Sequence, residues 1–176
     1  MAWVIFSDIH GAYSAIGEQL EPSDTAFLLG DYLDLLEFER VEGIVADLVG
    51  PERLRAALQN AMSGDADDFR AIVSSTLHPG GEHHGALLKA SERAYDRLMD
   101  SIPCQAYVLH GNTDFPGMVR ARCTENRQFV DGTSIKIDGL CIGFVGGCLP
   151  TPHQLAGEEE PATYNAKFDA IGEVDI

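Results

Sequence analysis

The chain has 176 residues and an acidic balance, with 28 Asp and Glu against 12 Lys and Arg and a formal net charge of −16. Its length predicts one domain with a sizeable core, and a surface of that sign repels phosphate backbones, which argues against a nucleic-acid-binding face. No long apolar stretch or basic leader occurs, so we expect neither a membrane span nor a signal peptide. The four cysteines lack C-x-x-C spacing and fit free thiols in a cytoplasmic protein better than a disulfide or a zinc knot.

The first predicted strand ends in an acidic motif. The apolar run at residues 4–7 opens directly onto Asp8-Ile9-His10-Gly11, and such a run bounded by glycine is typical of a buried strand. Asp8 and His10 are two positions apart, so their side chains would share one face of an extended strand end. Helical spacing over residues 13–20 then predicts a helix that Pro22 stops.

A second apolar run, residues 25–29, opens onto Gly30-Asp31-Tyr32-Leu33-Asp34. Residues 35–102 then change to helical periodicity, beginning with Leu36 and Val41 and interrupted at Gly50-Pro51. We expect this stretch to be a helical insertion that forms a lid or a packing layer. Its polar loop contains three histidines that we expect to be solvated, with a role as acid or substitute ligand as the alternative: His78, His83 and His84.

The third apolar run, residues 106–109, opens onto His110-Gly111-Asn112-Thr113-Asp114. Ligand-binding groups of open α/β sheets gather just beyond the carboxyl ends of the strands. Three strands that end in Asp and His, in Asp and in Asn therefore predict a metal site in one crevice.

The end of the chain has a β pattern. Asp138-Gly139 between two alternating runs predicts a hairpin over residues 134–145, and a Gly/Pro loop with His153 follows. For His153 we favour solvent exposure over a position facing the active crevice. Residues 158–170 are predicted to be helical apart from Pro161, and residues 171–176 resemble the start of another strand.

The ligand set indicates which cations would bind. Asp8 and His10 could hold one cation, Asp31 could bridge two, and Asn112 could supply an amide oxygen to the second. Mixed carboxylate, imidazole and amide donors suit Mn, Fe or Zn better than Ca²⁺. Each motif alone is more typical of a turn, but the agreement of all three favours metal ligation.

Three neighbouring residues have smaller expected roles. Asp34 is predicted to orient a ligand or cap a helix, and Asp114 to act as an orienting hydrogen-bond partner within the catalytic site. His110 is predicted to be a strand-end residue near the site, with proton donation as its candidate catalytic role.

These motifs, Asp8-x-His10, Gly30-Asp31-x-x-Asp34 and Gly111-Asn112-x-Asp114, resemble the first three blocks of the calcineurin-like metallophosphoesterase superfamily, small prokaryotic phosphodiesterase-like members in particular. The loop at residues 146–152 resembles a glycine–proline loop of prokaryotic members. The resemblance implies an α/β fold, a four-layer αββα sandwich of mixed sheets, with residues 1–176 as a single domain and 35–102 as its insertion. It also implies two divalent metal ions held by Asp8, His10, Asp31 and Asn112.

The chain departs from the superfamily pattern at two places. Thr113 stands where many members have a histidine that assists the substrate or protonates the leaving group. The histidine-bearing blocks that complete the metal shells lie beyond a strand like residues 174–176 and do not occur here. We therefore expect a C-terminally incomplete domain, either a fragment or a strand-swapped or edge-paired homodimer.

The expected function is metal-dependent hydrolysis of phosphodiester or phosphomonoester bonds through a metal-bridging hydroxide. Without the histidine at position 113, a small phosphodiester or nucleotide-derived substrate is favoured over an alkyl monoester. The alternative is a catalytically silent scaffold or binding module on the same fold, or an inactive fragment.

Overall fold

A computed structural model describes residues 1–151 and 154–176. Over these residues the chain is a mixed α/β protein with a four-stranded parallel sheet and a two-stranded antiparallel sheet. His153 lies outside the described residues. Seven helices accompany the sheets in this part of the chain: α1 (Tyr13–Gln19), α2 (Ile44–Val49), α3 (Pro51–Met62), α4 (Asp67–Leu77), α5 (His84–Asp100), α6 (Pro116–Arg122) and α7 (Pro161–Ile171).

The chain divides into two compact units. Unit 1 comprises residues 1–33 and 95–176, and unit 2 comprises residues 34–94. Both sheets belong to unit 1, while unit 2 is built from helices and loops.

The parallel sheet places the three acidic motifs side by side. Its strands β1 (Trp3–Phe6), β2 (Thr25–Leu28), β3 (Gln105–Val108) and β4 (Arg127–Phe129) pair in the order β1-β2-β3-β4. The three strands predicted from the apolar runs are thus confirmed. All three pairs are parallel, so the carboxyl ends of β1, β2 and β3 meet at one edge of the sheet.

The core of unit 1 lies between the two sheets. The hairpin of β5 (Thr133–Ile137) and β6 (Leu140–Phe144) is confirmed, and Asp138 and Gly139 turn it with φ values of 49° and 91°, as a two-residue type I′ loop requires. Its inward side chains pack with those of the parallel sheet. Phe27 is stacked with Phe144 at a centroid separation of 6.1 Å, and the buried cluster comprises Phe27, Leu109, Val130, Ile137, Ile142 and Phe144.

The last helix begins later than the sequence predicted. Pro161 occupies the first turn of α7, where its missing N–H costs nothing, so the predicted start at residue 158 was wrong. The residues after α7 are not a regular strand, yet their backbone pairs with β6: Asp175 N–H donates to Cys141 O at 2.7 Å, and Gly143 N–H donates to Ile176 O at 2.9 Å.

Unit 2 has its own apolar core, made by Val41, Val45, Ala46, Leu54, Ala57 and Ile72. The predicted helical pattern from Leu36 was wrong for its first residues, because α2 begins only at Ile44 after Gly43 with φ 104°. A turn closed between Glu37 and Glu42 precedes it. The histidine loop lies between α4 and α5, as predicted, but its histidines are partly buried; His84 Nδ1, for example, lies 3.2 Å from Thr76 O.

Two chemical expectations concern the described residues as a whole. None of their helices combines the length and apolar character needed to cross a membrane. All four cysteines have free thiols.

Candidate metal centre

Backbone hydrogen bonds join the first acidic loop to the second. Asp8 N–H donates to Gly30 O at 3.2 Å, His10 N–H donates to Asp31 O at 2.9 Å, and Gly11 N–H donates to Tyr32 O at 3.0 Å. These bonds continue the pairing of β1 with β2 beyond the strand ends. The positions of Asp8 and His10 relative to Asp31 are therefore fixed by the main chain.

Three of the four predicted ligands have a left-handed backbone conformation. The φ angles are 52° at Asp8, 41° at His10 and 54° at Asp31. Non-glycine residues seldom adopt this region, although Asp, Asn and His do so more readily than most. Such strain persists only where surrounding contacts enforce it, and it is concentrated at functional sites.

The second and third loops meet at the carboxylate of Asp31. Thr113 donates to Asp31 Oδ1 from its backbone N–H at 3.0 Å and from its hydroxyl at 2.8 Å. One terminal atom of the Asn112 side-chain amide lies 3.1 Å from Asp31 Oδ1 and 3.2 Å from Asp31 Oδ2. If this atom is the nitrogen, Asn112 donates hydrogen bonds to Asp31. If it is the oxygen, it faces the two carboxylate oxygens, and a cation shared by the three oxygens would stabilise the arrangement.

Two glycines permit this close approach. A Cβ on Gly30, whose φ is 110°, would collide with the backbone at Gly111, and a Cβ on Gly111 would collide with the side chain and backbone of Asp31. Gly30 and Gly111 are thus required by the short distance between the second and third loops, and Gly30 also by its positive φ angle.

The structure does not bring the ligand atoms of all the predicted residues close enough to bind one cation together. His10 Nδ1 lies 3.1 Å from Leu33 O, and this contact orients the ring so that Nε2 is the nitrogen left as a donor to a metal. Among the described residues, the only trio of His, Cys, Asp or Glu whose ligand atoms lie within 4.8 Å of one another is a different one. Asp31 and Asn112 are in contact, whereas Asp8 and His10 are brought to the same edge by their backbone.

The buried carboxylate of Asp114 connects the second loop to the third. It is fully buried, and its Oδ2 accepts the N–H groups of Asp31 at 2.8 Å and Gly111 at 2.9 Å. Its Oδ1 accepts from Tyr32 N–H at 3.1 Å and from the Tyr95 hydroxyl at 3.3 Å. Burial raises the pKa of Asp114 to about 6, and the backbone N–H donors oppose that shift.

The two tyrosines that meet Asp114 are buried as well. Tyr32 and Tyr95 contact edge to face with centroids 6.4 Å apart, and burial raises the pKa of both phenols. The Tyr95 phenol therefore stays a neutral donor to the carboxylate of Asp114, and the Tyr32 phenol stays a neutral donor to the carbonyls of Leu28 and Leu109. The sequence reasoning missed this role, because neither tyrosine lies in an acidic motif position that predicts a ligand.

His110 faces away from solvent. Its ring is 1% exposed, is stacked with Phe129 at a centroid separation of 5.9 Å, and points toward Asp131 and Glu159. Burial lowers the pKa of His110, and the carboxylate of Asp131 opposes this shift. Proton donation to a substrate in solvent is therefore not assigned to this ring.

The sequence analysis missed the partners of His110. Asp131 follows β4 in the run Phe129-Val130-Asp131-Gly132, which repeats the pattern of the other three motifs and could have been noticed. Glu159 and Lys167 carry no such signal, because one lies in a run of three glutamates and the other on a helix surface pattern.

No family model, curated protein or solved structure matches the chain.

Asp34, the last residue of the second motif, belongs to unit 2, where its backbone carbonyl accepts Ile44 N–H at 2.8 Å.

Proposed function

We propose that the chain is a metal-dependent phosphoesterase of the calcineurin-like type, with two divalent cations (Mn, Fe or Zn) held by Asp8, His10, Asp31 and Asn112. The observation that carries the proposal is the left-handed backbone at Asp8, His10 and Asp31, at the carboxyl ends of two adjacent parallel strands. Strained polar residues at such strand ends are typical of a ligand site in an α/β sheet.

The donor set supports the same proposal. Asp31 presents both carboxylate oxygens to Asn112, and His10 keeps Nε2 free for a metal while Nδ1 faces a carbonyl. Imidazole, carboxylate and amide donors together suit Mn, Fe or Zn. Such ions, when bound, acidify a water and neutralise charge on a phosphoryl group.

The chain's own residues have distinct tasks in this proposal. Thr113 donates two hydrogen bonds to Asp31 Oδ1 and so fixes the carboxylate plane. Asp114 ties the backbones of Asp31 and Gly111 together. We infer that Asp114 is a positioning residue, since it is buried and touches no solvent.

The finer architecture belongs to the proposal too. The antiparallel sheet packs on the parallel sheet through Phe27 and Phe144, and Ile171 of α7 lies against Gly143 on its other face. Every residue of β2 is buried, so both faces of the parallel sheet are covered at this central strand. These contacts are those expected of a four-layer αββα sandwich.

The substrate class follows from the residue at position 113. Threonine is no acid near neutral pH, so the chain supplies no evident proton for a poor leaving group at this position. We propose a small phosphodiester, nucleotide-derived substrates included, with a leaving group that departs as a stabilised anion.

Hydrolysis of an aryl phosphodiester in the presence of Mn²⁺ tests the proposal. Asp31→Asn should lower kcat/KM by at least about 100-fold, because it removes the shared carboxylate, and should reduce bound manganese. Asp169→Asn is the matched control, since Asp169 is exposed on α7, and it should leave the rate unchanged. Equal rates in the two variants, with no metal retained by the parent chain, would reject the enzyme.

One observation favours the second candidate, a silent scaffold. Within the part of the chain that the structure describes, the ligand atoms of Asp8, His10 and Asp31 do not all lie within 4.8 Å of one another. A scaffold would bind no manganese at Asp31 and would show no phosphodiesterase activity with any of the three metals.

A further inference from the structure

A buried polar cluster begins at the first residue of the third motif and shares no residue with the proposed phosphoesterase centre. It consists of His110, Asp131, Glu159 and Lys167. The side chains of Asp131, Glu159 and Lys167 are 8%, 19% and 11% exposed, and that of His110 is 1% exposed.

The cluster is short of positive charge. Lys167 Nζ lies 2.7 Å from Asp131 Oδ2 and 2.7 Å from Glu159 Oε1, and it also donates to Gly146 O at 3.0 Å. One ammonium thus faces two carboxylates. A divalent cation would balance both carboxylates fully, and buried carboxylates are costly unless they are paired or bound to a metal.

Several nitrogen and oxygen atoms of the cluster that could bind a metal make no hydrogen bond. Neither ring nitrogen of His110 makes one, and the buried Glu159 Oε2 makes none. The ring nitrogens instead lie 3.7 Å from Asp131 Oδ2 and 3.4 Å from Glu159 Oε1. Buried polar atoms without partners are uncommon, and the binding of an ion is one of their physical explanations.

The backbone of two glycines lies close to both nitrogens of the imidazole. A Cβ on Gly146 would lie 3.0 Å from His110 Nδ1, and a Cβ on Gly147 would lie 2.8 Å from Nε2. Phe129 covers one ring face. Both nitrogens are therefore held toward the carboxylates by a cradle in which only glycine fits.

We propose that His110, Asp131 and Glu159 form a second, structural cation site for a divalent transition metal, with Zn²⁺ as the best match. Their ligand atoms lie within 4.8 Å of one another, and one imidazole with two carboxylates is a donor set that zinc accepts. The Lys167 ammonium fills the position in the metal-free chain. When the metal enters, Lys167 withdraws to solvent, and the two carboxylates are neutralised by the ion.

The test uses the full chain with Asp8→Asn and Asp31→Asn as background. These changes disable the proposed phosphoesterase centre, so the metal binding that is measured does not depend on whether that proposal is correct. CoCl₂ is titrated while visible absorption is followed, and ZnCl₂ is added during thermal unfolding. Adding Lys167→Met should tighten Co²⁺ binding by about tenfold or more, the scale on which groups around a metal alter its affinity. Adding Glu159→Gln to that variant should reverse the gain.

Equal Co²⁺ affinity in the background and both variants would overturn the site and leave a lysine-neutralised salt bridge. If Lys167→Met does not fold even with zinc, the background is compared with its Glu159→Gln variant, both retaining Lys167. A zinc-induced rise in Tm that Glu159→Gln abolishes supports the site, and an equal rise in both chains overturns it.

Discussion

Two polar clusters of unit 1 each contain residues of the third motif, and they are held by different means. The candidate metal centre is fixed by backbone hydrogen bonds, by left-handed residues and by close glycine contacts. The cluster of His110, Asp131, Glu159 and Lys167 is fixed by side chains that meet from four places in the sequence. The first leaves Asp8 and His10 exposed to solvent, whereas the second encloses its charged side chains.

This difference predicts opposite consequences of mutation. Removing a charge from the metal centre should affect activity more than stability, because its carboxylates repel one another in the absence of cations. Removing a charge from the buried cluster should affect stability first, because the remaining charges stay desolvated.

The largest expected effect is that of Lys167→Met in metal-free protein. The free energy of unfolding should fall by about 3–5 kcal/mol, because two mostly buried carboxylates lose their cation. Urea denaturation in the presence of a chelator measures it. Lys136→Met, on the exposed side of β5, is the control and should stay within about 0.5 kcal/mol of the parent. A similar small change for both lysines would contradict the division between the clusters.

A second change tests whether the metal centre depends on close backbone contact. Gly111→Ala places a Cβ against Asp31, and we expect a loss of about 3 kcal/mol, at the upper end for overpacking, together with loss of phosphodiesterase activity. Gly117→Ala in α6 has nothing within 4 Å of its added Cβ and should raise stability by about 0.5–1 kcal/mol. Equal stability of the two variants would show that the loops are not tightly apposed.

Asp114→Asn should destabilise the metal-free chain by about 2 kcal/mol. An asparagine offers one acceptor oxygen, so its NH₂ would face N–H groups that Asp114 now satisfies, and a buried donor without an acceptor costs about 1–3 kcal/mol. Chemical denaturation at neutral pH measures the change. An unchanged midpoint would mean that Asp114 does not hold the two loops together.

The last expected effect is the pH dependence contributed by Asp114 in metal-free protein. Because its folded-state pKa is raised to about 6, the folded chain binds the proton more tightly than the unfolded chain does. This contribution therefore favours folding at low pH and is lost as the pH rises from about 4 to about 6. The stability of the parent relative to Asp114→Asn should fall across that window, and a constant or rising difference would contradict the assigned shift.

The sequence predicted the parts of the molecule that depend on local pattern. Strands β1, β2 and β3 and the Asp138-Gly139 hairpin appear where apolar runs and turn residues indicated them. The start of α2 was missed because Gly43, with φ 104°, ends the preceding turn, and α7 was placed too early because Pro161 fits a first helical turn better than an interior one.

The placement of the candidate site residues was predictable to the same extent. Asp8, His10, Asp31 and Asn112 lie in contiguous motifs, so their alignment followed from a parallel sheet. Glu159 and Lys167 reach His110 only through tertiary packing, and no spacing along the chain indicates that contact. The orientation of His10 toward Leu33 O likewise depends on a side-chain rotation that a motif does not specify.

Anomalous diffraction from crystals of the full chain grown with Mn²⁺ would show whether Asp31 binds metal. We expect two manganese peaks at coordinating distance, about 2.0–2.2 Å, from oxygens of Asp31. One manganese should also be bound by Asp8 and His10, and the other by Asn112. Manganese that lies only elsewhere in the chain, or an Asp31 carboxylate without a metal at saturating Mn²⁺, would contradict this expectation.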